Sequence, residues 1–192
     1  LSIQVHPDNE YAQKVEHEFG KTEIWYVIDA TDDAQLVYGF KEKISKEEFK
    51  EAIENNTLLD VLNTVKVKKG DLFFIEAGTV HAIGKGVLIA EIQQNSNSTY
   101  RVYDYGRIGK DGKPRELHIK KAVDVSVTEP PKYDIKPMGE KVVADGYDST
   151  LLTKCDLFTV NHYDVEKELT LTADEKSFNH ILVIDGNGEI DG

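Results

Sequence analysis

Four polar side chains beside strand-like segments have the types and spacing of a metal site. Gln4 and His6 are two residues apart on a predicted strand, so both point to one face. Glu23 opens the apolar segment Ile24–Ile28, where an unpaired inward carboxylate would be costly. His81 follows a strand and a glycine-containing turn, which would return it to the same barrel interior. Two imidazoles, a carboxylate and an amide oxygen suit Zn²⁺, with room for water or substrate.

The same two histidines and one carboxylate also match the facial triad of non-haem Fe(II) enzymes. Gln4 argues mildly against iron chemistry, because it would fill a position that oxygen needs. A third interpretation treats these residues as scattered surface groups, and their shared strand-and-turn context disfavours it.

A second constellation surrounds Arg101. Glu91 ends an apolar strand, and a polar loop then leads to Arg101 within an aromatic stretch. The ordinary interpretation is a β-turn with a surface arginine. The functional one places Arg101 over the site, to hold an anion or stabilise an oxyanion. The remaining histidines are expected to have plain surface or core roles: His17, His118, His162 and His180.

Short strands separated by turns dominate the chain, which predicts an antiparallel sandwich or barrel. Leu72–Ile75 and Val87–Ile92 have the composition of buried strands. Further strands are expected towards the end of the chain: Val142–Ala144, Phe158–Tyr163, Glu168–Thr172 and His180–Ile184.

Two segments have helical patterns instead. In the first, Asp8–Phe19, Tyr11 begins an apolar repeat at every fourth residue. In the second, Ser45–Asn63, Ser45 and Glu48 form a capping box, and a break in the middle predicts a pair of short helices.

At about 150 residues per domain, the 192 residues are expected to hold one domain, or one domain and part of another. We predict a metal-binding barrel over residues 1–127 with a helical insertion at about 45–63. A proline-rich linker at 128–138 and an incomplete second β lobe at 139–192 follow. Both ends read as interrupted strand patterns, so the chain is expected to be the middle of a longer protein, with N-terminal strands of the barrel missing.

Composition limits the partners. The net charge of −12 gives no overall electrostatic attraction for nucleic acid. The longest apolar runs are far shorter than the roughly 20 residues that span a bilayer, so no membrane partner is expected. A single cysteine, Cys155, suits a reducing compartment, and a cytoplasmic location is expected. The sequence leaves the oligomeric state open.

Several motifs in order resemble one enzyme family. Gly70–His81 is similar to the second cupin motif, with Glu76 where that motif has proline. The motifs more narrowly resemble type I mannose-6-phosphate isomerase in its short bacterial form: Leu1–Pro7, Gly20–Tyr26, Gly78–Ala82 and Glu91–Asp104. The resemblance covers Leu1 to about Val127, and the last third resembles the family's second lobe by pattern alone.

The resemblance implies a cupin jelly roll with one zinc ion per chain and interconversion of mannose 6-phosphate, a small-molecule sugar phosphate, with fructose 6-phosphate. It assigns the zinc ligands to Gln4, His6, Glu23 and His81. It assigns the catalytic arginine to Arg101 and places Lys21 and Glu91 in the active site.

An aldose–ketose isomerase needs an acid–base group near two carbons and a group that stabilises the developing oxyanion. The base stays open among Glu91, Asp104 and the region of His6. Candidates for a phosphate pocket are Lys21, Arg101, Arg107, Arg115 and Lys120, of which the last two are weakest. The competing functions are an Fe(II)-dependent cupin dioxygenase and a non-catalytic sugar-phosphate-binding cupin.

Overall fold

The computed structural model describes residues 1–191, which form two compact units, the first at Leu1–Lys136 and the second from Pro137 onward. Gly192, the last residue of the predicted second lobe, lies outside the described residues.

The first unit alternates strands with short helices. Its strands are β1 (Ile3–Val5), β2 (Glu23–Ala30), β3 (Gln35–Phe40), β4 (Leu62–Lys66), β5 (Leu72–Ile75), β6 (His81–Ile83), β7 (Val87–Gln93) and β8 (Tyr100–Tyr103). Its helices are α1 (Asn9–Val15), α2 (Lys46–Glu54), α3 (Leu58–Val61) and α4 (Ile119–Val125).

Within residues 1–191, the strands of the first unit form two antiparallel sheets. One has five strands in the order β4-β3-β6-β1-β8, and the other has three in the order β5-β2-β7. The prediction of a mainly β, antiparallel fold is therefore confirmed.

Apolar side chains cover both faces of the five-stranded sheet. One cluster joins this sheet to the three-stranded sheet, and it contains Trp25, Val27, Leu36, Tyr38, Phe73 and Ile75. The other joins the opposite face to the helices, and it contains Ile3, Val5, Ala82, Val102, Phe49, Ile53 and Ala122. Because both faces are covered, this sheet is a rigid base for the side chains that it carries.

The helices follow local capping rules. At the start of α2, the Glu48 amide donates to the Ser45 hydroxyl oxygen, and the Ser45 amide donates to the Glu48 carboxylate. The predicted capping box is therefore confirmed. Asp8 caps α1, but the prediction of a helix to Phe19 is wrong. The helix ends at Val15 because His17 has φ of 58°, outside the helical region.

The proline-rich segment packs on the first unit as far as Lys136. Ile44 and Thr128 exchange two hydrogen bonds, from the Ile44 amide to the Thr128 carbonyl and from the Thr128 hydroxyl to the Ile44 carbonyl. The Val127 amide donates to the carbonyl of Gly78, which attaches the segment to the turn before β6.

The second unit contains an antiparallel sheet in the order β11-β10-β9, formed by β9 (Lys141–Ala144), β10 (Tyr147–Lys154) and β11 (Thr159–Val165). The sequence analysis missed β10, which is rich in polar residues. The predicted strands at Glu168–Thr172 and His180–Ile184 are wrong, since both ranges lie in the described part of the chain and have no strand pairing. No helix among residues 1–191 has the length and apolar composition needed to cross a membrane.

Candidate metal centre

One row of side chains crosses the five-stranded sheet. Tyr38 pairs with His81, His81 pairs with Gln4, and Gln4 pairs with Arg101 across four neighbouring strands. Paired residues on adjacent strands project from the same face. His6 comes two residues after Gln4, so it projects from this face as well.

The three-stranded sheet contributes a second group of polar residues. Glu23 and Trp25 are two residues apart on β2, and Trp25 pairs with Glu91 on β7. These three side chains therefore share a face. Trp25 belongs to the apolar cluster between the two sheets, which identifies this face as the inner one.

His6, Glu23 and His81 meet between the sheets, with one ligand atom of each within 4.8 Å of the others. The His6 Nε2 atom lies 3.6 Å from one Glu23 oxygen, and the His81 Nε2 atom lies 3.4 Å from the other. All three side chains are at most 1% exposed. The structure thus brings together three of the four predicted metal ligands.

Backbone carbonyls set the orientation of both imidazoles. His6 Nδ1 lies 2.8 Å from the Ser98 carbonyl, and His81 Nδ1 lies 2.8 Å from the Thr79 carbonyl. A carbonyl only accepts hydrogen bonds, so each Nδ1 carries the hydrogen. Both Nε2 lone pairs consequently face Glu23, as in histidine metal ligands held by a partner at the other nitrogen.

The cluster leaves buried acceptors unsatisfied. His6 Nε2 and both carboxylate oxygens of Glu23 are buried and lack a well-aligned hydrogen bond from any residue that the structure describes, and one Glu23 oxygen is paired only with the Lys21 ammonium at 3.2 Å. Each such group costs about 1–3 kcal/mol when it is left unpaired. A cation among these atoms would remove that cost, so the residues present fit a metal ion.

Gln4 reaches the same cluster from the row on the five-stranded sheet. Its amide nitrogen Nε2 lies 3.4 Å from His81 Nε2. Rotating the amide by half a turn would present the oxygen instead, and the two orientations differ only in their hydrogen bonding. Gln4 is therefore placed where an amide ligand would complete the set.

Burial controls the charge states of these ligands. It lowers the pKa of His6 to about 2 and the pKa of His81 to about 4, so both imidazoles are neutral at pH 7. Burial also raises the pKa of Glu23, against the attraction of Lys21. Neutral imidazoles are the form that binds metal.

Lys21 and Glu91 border the cluster. The Lys21 ammonium lies 3.2 Å from a Glu23 oxygen and 3.7 Å from a Glu91 oxygen. The Trp25 indole nitrogen donates to the other Glu91 oxygen at 3.2 Å. Burial raises the pKa of Glu91, and the nearby Glu23 charge raises it further. Glu91 is therefore a carboxylate at the border of the buried cluster, and its surroundings raise its pKa.

Arg101 occupies the end of the row, on the edge strand β8. One terminal guanidinium nitrogen donates to the Glu116 carbonyl at 2.9 Å. Its Nε atom is buried and finds no acceptor among the described residues. Burial lowers the pKa of Arg101, and the positive charges of Arg115 and Arg107 add to that effect.

Two more arginines converge on Asp104. Arg115 donates to both Asp104 oxygens, one of them at 2.7 Å, and Arg107 donates to the second oxygen. The Arg115 bonds lower the pKa of Asp104 to about 2. Lys120, in contrast, is 88% exposed and pairs with Asp124 at 2.9 Å, so the structure does not bring it into this group.

Glu76 stands where the cupin motif has proline, and the turn forms nonetheless. The Thr79 amide donates to the Glu76 carbonyl at 3.0 Å, and Gly78 adopts a φ of 90°. The Gly78 amide donates to the His6 carbonyl at 2.8 Å. This bond connects the turn before His81 to His6, which directly follows β1.

Sequence reasoning missed three groups that shape the site. Trp25 had a usable signal, because it lies two residues after Glu23 and must share its face. The carbonyls of Ser98 and Thr79 had none, because a backbone acceptor carries no sequence signature.

Comparison with known proteins gives a consistent result. The chain is 43% identical to the mannose-6-phosphate isomerase of Bacillus subtilis over 191 residues, covering 99% of this chain and 59% of the relative. It is 40% identical to the mannose-6-phosphate isomerase of Streptococcus mutans over 192 residues, covering 99% and 58%. The chain thus spans 58–59% of the length of these curated relatives. No protein-family model matches it.

A solved structure of the mannose 6-phosphate isomerase from Bacillus subtilis superimposes with a TM-score of 0.78 and 39% identity, over 85% of this chain and 52% of that one. Antiparallel sheets that enclose a buried His–Glu–His cluster, together with this superposition, define a cupin-type β protein. Over nearly its whole length the chain is similar to the mannose-6-phosphate isomerases of these two organisms, as its sequence motifs predicted.

Proposed function

We propose that the protein is a zinc-dependent isomerase that interconverts mannose 6-phosphate and fructose 6-phosphate through an enediol. The observation that carries the proposal is the buried cluster of His6, Glu23 and His81, whose unsatisfied acceptors fit a cation. The names of the homologous proteins supply the reaction and the sugar phosphate substrate. A cytoplasmic location is proposed with it, on the single cysteine and on this metabolic substrate.

Gln4, His6, Glu23 and His81 are the proposed ligands of one zinc ion. When bound there, zinc supplies Lewis acidity toward the sugar oxygens. The ligand residues need little rearrangement to bind it, because backbone carbonyls already hold both imidazoles with Nε2 toward Glu23. Nitrogen and oxygen donors of this kind suit a catalytic zinc site with an open position.

Glu91 is the proposed base that moves a proton between C1 and C2 of the sugar. Burial and the Glu23 charge raise its pKa, and a carboxylate with a raised pKa is a stronger proton acceptor. Asp104 is less suited, because two arginines occupy its oxygens and its pKa is about 2. His6 is also less suited, since one ring nitrogen is held by the Ser98 carbonyl and the other faces Glu23.

Arg101 is the proposed stabiliser of the oxyanion that develops in the enediol. Its Nε–H is buried and finds no acceptor among the described residues, so a substrate oxygen that reached it would satisfy it. Such a fixed donor in a poorly solvated site favours charge that appears only in the transition state. Lys21, which pairs with both Glu23 and Glu91, keeps these two carboxylates from repelling each other.

The substrate phosphate is proposed to bind near Arg107 and Arg115. Their positive charges reach Arg101, and the Asp104 carboxylate that both contact offsets only one of the two. The excess positive charge offers a local site for a dianion on a protein whose net charge is −12.

The first experiment measures conversion of mannose 6-phosphate to fructose 6-phosphate by the intact protein. The assay is repeated after chelation and after restoring zinc or Fe(II). Activity that is lost on chelation and regained with zinc supports the proposal. Oxygen consumption with Fe(II) would favour a dioxygenase, and sugar-phosphate binding without turnover would favour a binding protein.

Two variants separate metal binding from chemistry. His81→Ala should lose metal and activity together, since it removes a buried ligand. Arg101→Ala should keep the metal and lose activity. Full metal stoichiometry in His81→Ala would contradict the ligand assignment.

A further inference from the structure

Arg101 lies on a strand edge that needs partners. Among residues 1–191, the strand β8 is the outermost strand of the five-stranded sheet and pairs on one side, with β1. A residue of an edge strand whose amide and carbonyl point outward would leave both groups without a strand partner. Arg101 has this orientation, because its amide and carbonyl bond to His118 rather than to β1.

His118 satisfies both groups. The Arg101 amide donates to His118 Nδ1 at 3.1 Å, and the His118 amide donates to the Arg101 carbonyl at 2.8 Å. The imidazole nitrogen thus takes the place that a carbonyl would hold in a neighbouring strand. His118 is half-buried, and its ring lies 6.1 Å from that of Tyr100.

The same short segment holds the guanidinium. Two residues before His118, the Glu116 carbonyl accepts from the Arg101 terminal nitrogen at 2.9 Å. The Glu116–His118 segment therefore fixes Arg101 at its backbone and at its side chain. Displacement of His118 would move the Glu116 carbonyl with it, because only Leu117 separates the two residues.

We propose that His118 is a positioning residue for the isomerisation, acting through Arg101. It holds the Arg101 backbone at the sheet edge and keeps the Glu116 carbonyl against the guanidinium, so that Arg101 keeps its place in the row with Gln4 and His81. The inference rests on the proposed function, in which Arg101 meets the substrate. A donor that stabilises a transition state must be held to within a fraction of an ångström.

Two substitutions of His118 isolate the acceptor. His118→Asn removes the ring but keeps an acceptor oxygen near the position of Nδ1. His118→Phe keeps a ring beside Tyr100 but removes the acceptor. The backbone bond from residue 118 to the Arg101 carbonyl is available in both variants. His180→Phe, at an exposed position of the second unit, is the matched control for the substitution itself.

We expect His118→Phe to lower kcat by roughly tenfold to a hundredfold, as for small displacements of a catalytic group. Its KM and metal content should stay close to those of the unmodified protein, and any fall in its melting temperature should leave it folded at the assay temperature. His118→Asn should recover most of the lost kcat, and His180→Phe should match the unmodified protein.

A double-substitution cycle distinguishes the positioning of Arg101 from a general loosening of the site. In an Arg101→Lys background, His118→Phe should have a smaller effect than in the unmodified background, because the group that it positions has gone. Equal effects in the two backgrounds would overturn the proposal. So would an unchanged kcat in His118→Phe, or an equal loss in His118→Phe and His118→Asn. If His118→Phe fails to fold, folded His118→Asn decides the question. A large loss of kcat in His118→Asn would overturn the proposal, and retained kcat would support it.

Hydrogen exchange at the Arg101 amide, followed by NMR, separates this inference from the proposed function. An unmodified protein that holds zinc but does not isomerise the sugar phosphate would refute the function. In that case the exchange measurement still tests, independently of activity, whether His118 holds the Arg101 backbone. Slow exchange in the unmodified protein and in His118→Asn, with faster exchange in His118→Phe, supports it, and equal exchange in all three overturns it.

Discussion

Replacing Glu23 by Gln should stabilise the metal-free protein while removing its stabilisation by zinc. Both Glu23 oxygens are buried and lack a well-aligned hydrogen bond within the described part of the chain, and only one of them is paired with the Lys21 ammonium. A Gln amide can donate to an imidazole Nε2, since those atoms lie 3.4 and 3.6 Å from the present oxygens. The substitution therefore replaces a buried charge, which is paired only with Lys21, by a neutral group that forms a hydrogen bond.

The expected size follows from two opposed effects. Relieving an unsatisfied buried acceptor is worth about 1–3 kcal/mol. Lys21 opposes the gain, because it loses one carboxylate at 3.2 Å, although it keeps Glu91 at 3.7 Å. A net gain of about 1–2 kcal/mol corresponds to a rise of about 2–8 °C in melting temperature for a chain of this length.

Zinc should reverse the order of stability. A ligand about a thousandfold above its Kd stabilises the folded state by about 4 kcal/mol. The unmodified protein should gain this amount, whereas Glu23→Gln, which has lost its anionic ligand, should gain much less at the same zinc concentration. Metal-free Glu23→Gln is then the more stable of the two metal-free proteins and the less stable of the two with zinc.

Urea unfolding followed by the fluorescence of Trp25, the only tryptophan of the chain, reports directly on this region. The measurement is made with chelator and with excess zinc. Glu51→Gln, on the exposed side of α2, is the matched control and should change neither curve. A metal-free Glu23→Gln that is less stable than the metal-free unmodified protein would refute the reasoning, because the carboxylate would then be satisfied in the folded state.

Three further predictions concern other parts of the first unit. Arg115 lowers the pKa of Asp104 to about 2, so Asp104 adds stability above its ordinary pKa of 3.8 that is lost as the pH falls toward 2. Asp104→Asn should remove about 1 kcal/mol, after allowance for solvent screening, and flatten acid unfolding in this range; an unchanged acid profile would contradict this. Gly78→Ala should cost about 1–3 kcal/mol in thermal unfolding, because φ is 90° and the new Cβ would lie 2.9 Å from the Val125 carbonyl; an unchanged melting temperature would argue against strain there. Phe49→Ala removes a fully buried ring and should cost about 3–5 kcal/mol in urea unfolding; a loss below about 1 kcal/mol would show that the helices contribute little to the core.

Local rules were enough to predict the centre of the site. The two-residue period placed Gln4 and His6 on one face, and the cost of burying an unpaired carboxylate singled out Glu23. Both rules act within a few residues of the chain, and the structure does bring His6 and Glu23 together with His81. The capping box at Ser45 was predictable for the same reason.

Long-range pairing explains the errors. Val87–Ile92 has the composition of a buried strand, but β7 lies at the edge of its sheet, and Leu88 is 58% exposed. His180–Ile184 is apolar enough for a strand, yet a strand requires a partner that composition does not reveal. The hydrogen bonds of Arg101 to Glu116 and His118 span 15 and 17 residues, and no local sequence pattern predicts them.

The carbonyls that orient the two imidazoles have a consequence for how the site tolerates sequence change. Because Ser98 and Thr79 act through their backbones, their side chains can vary without releasing the hydrogen bonds to His6 and His81. The hydrogen bonds that orient the two imidazoles thus depend little on which amino acids occupy positions 98 and 79. A proposed ligand such as Gln4 can therefore be replaced to change the metal preference while these two carbonyls still orient the imidazoles.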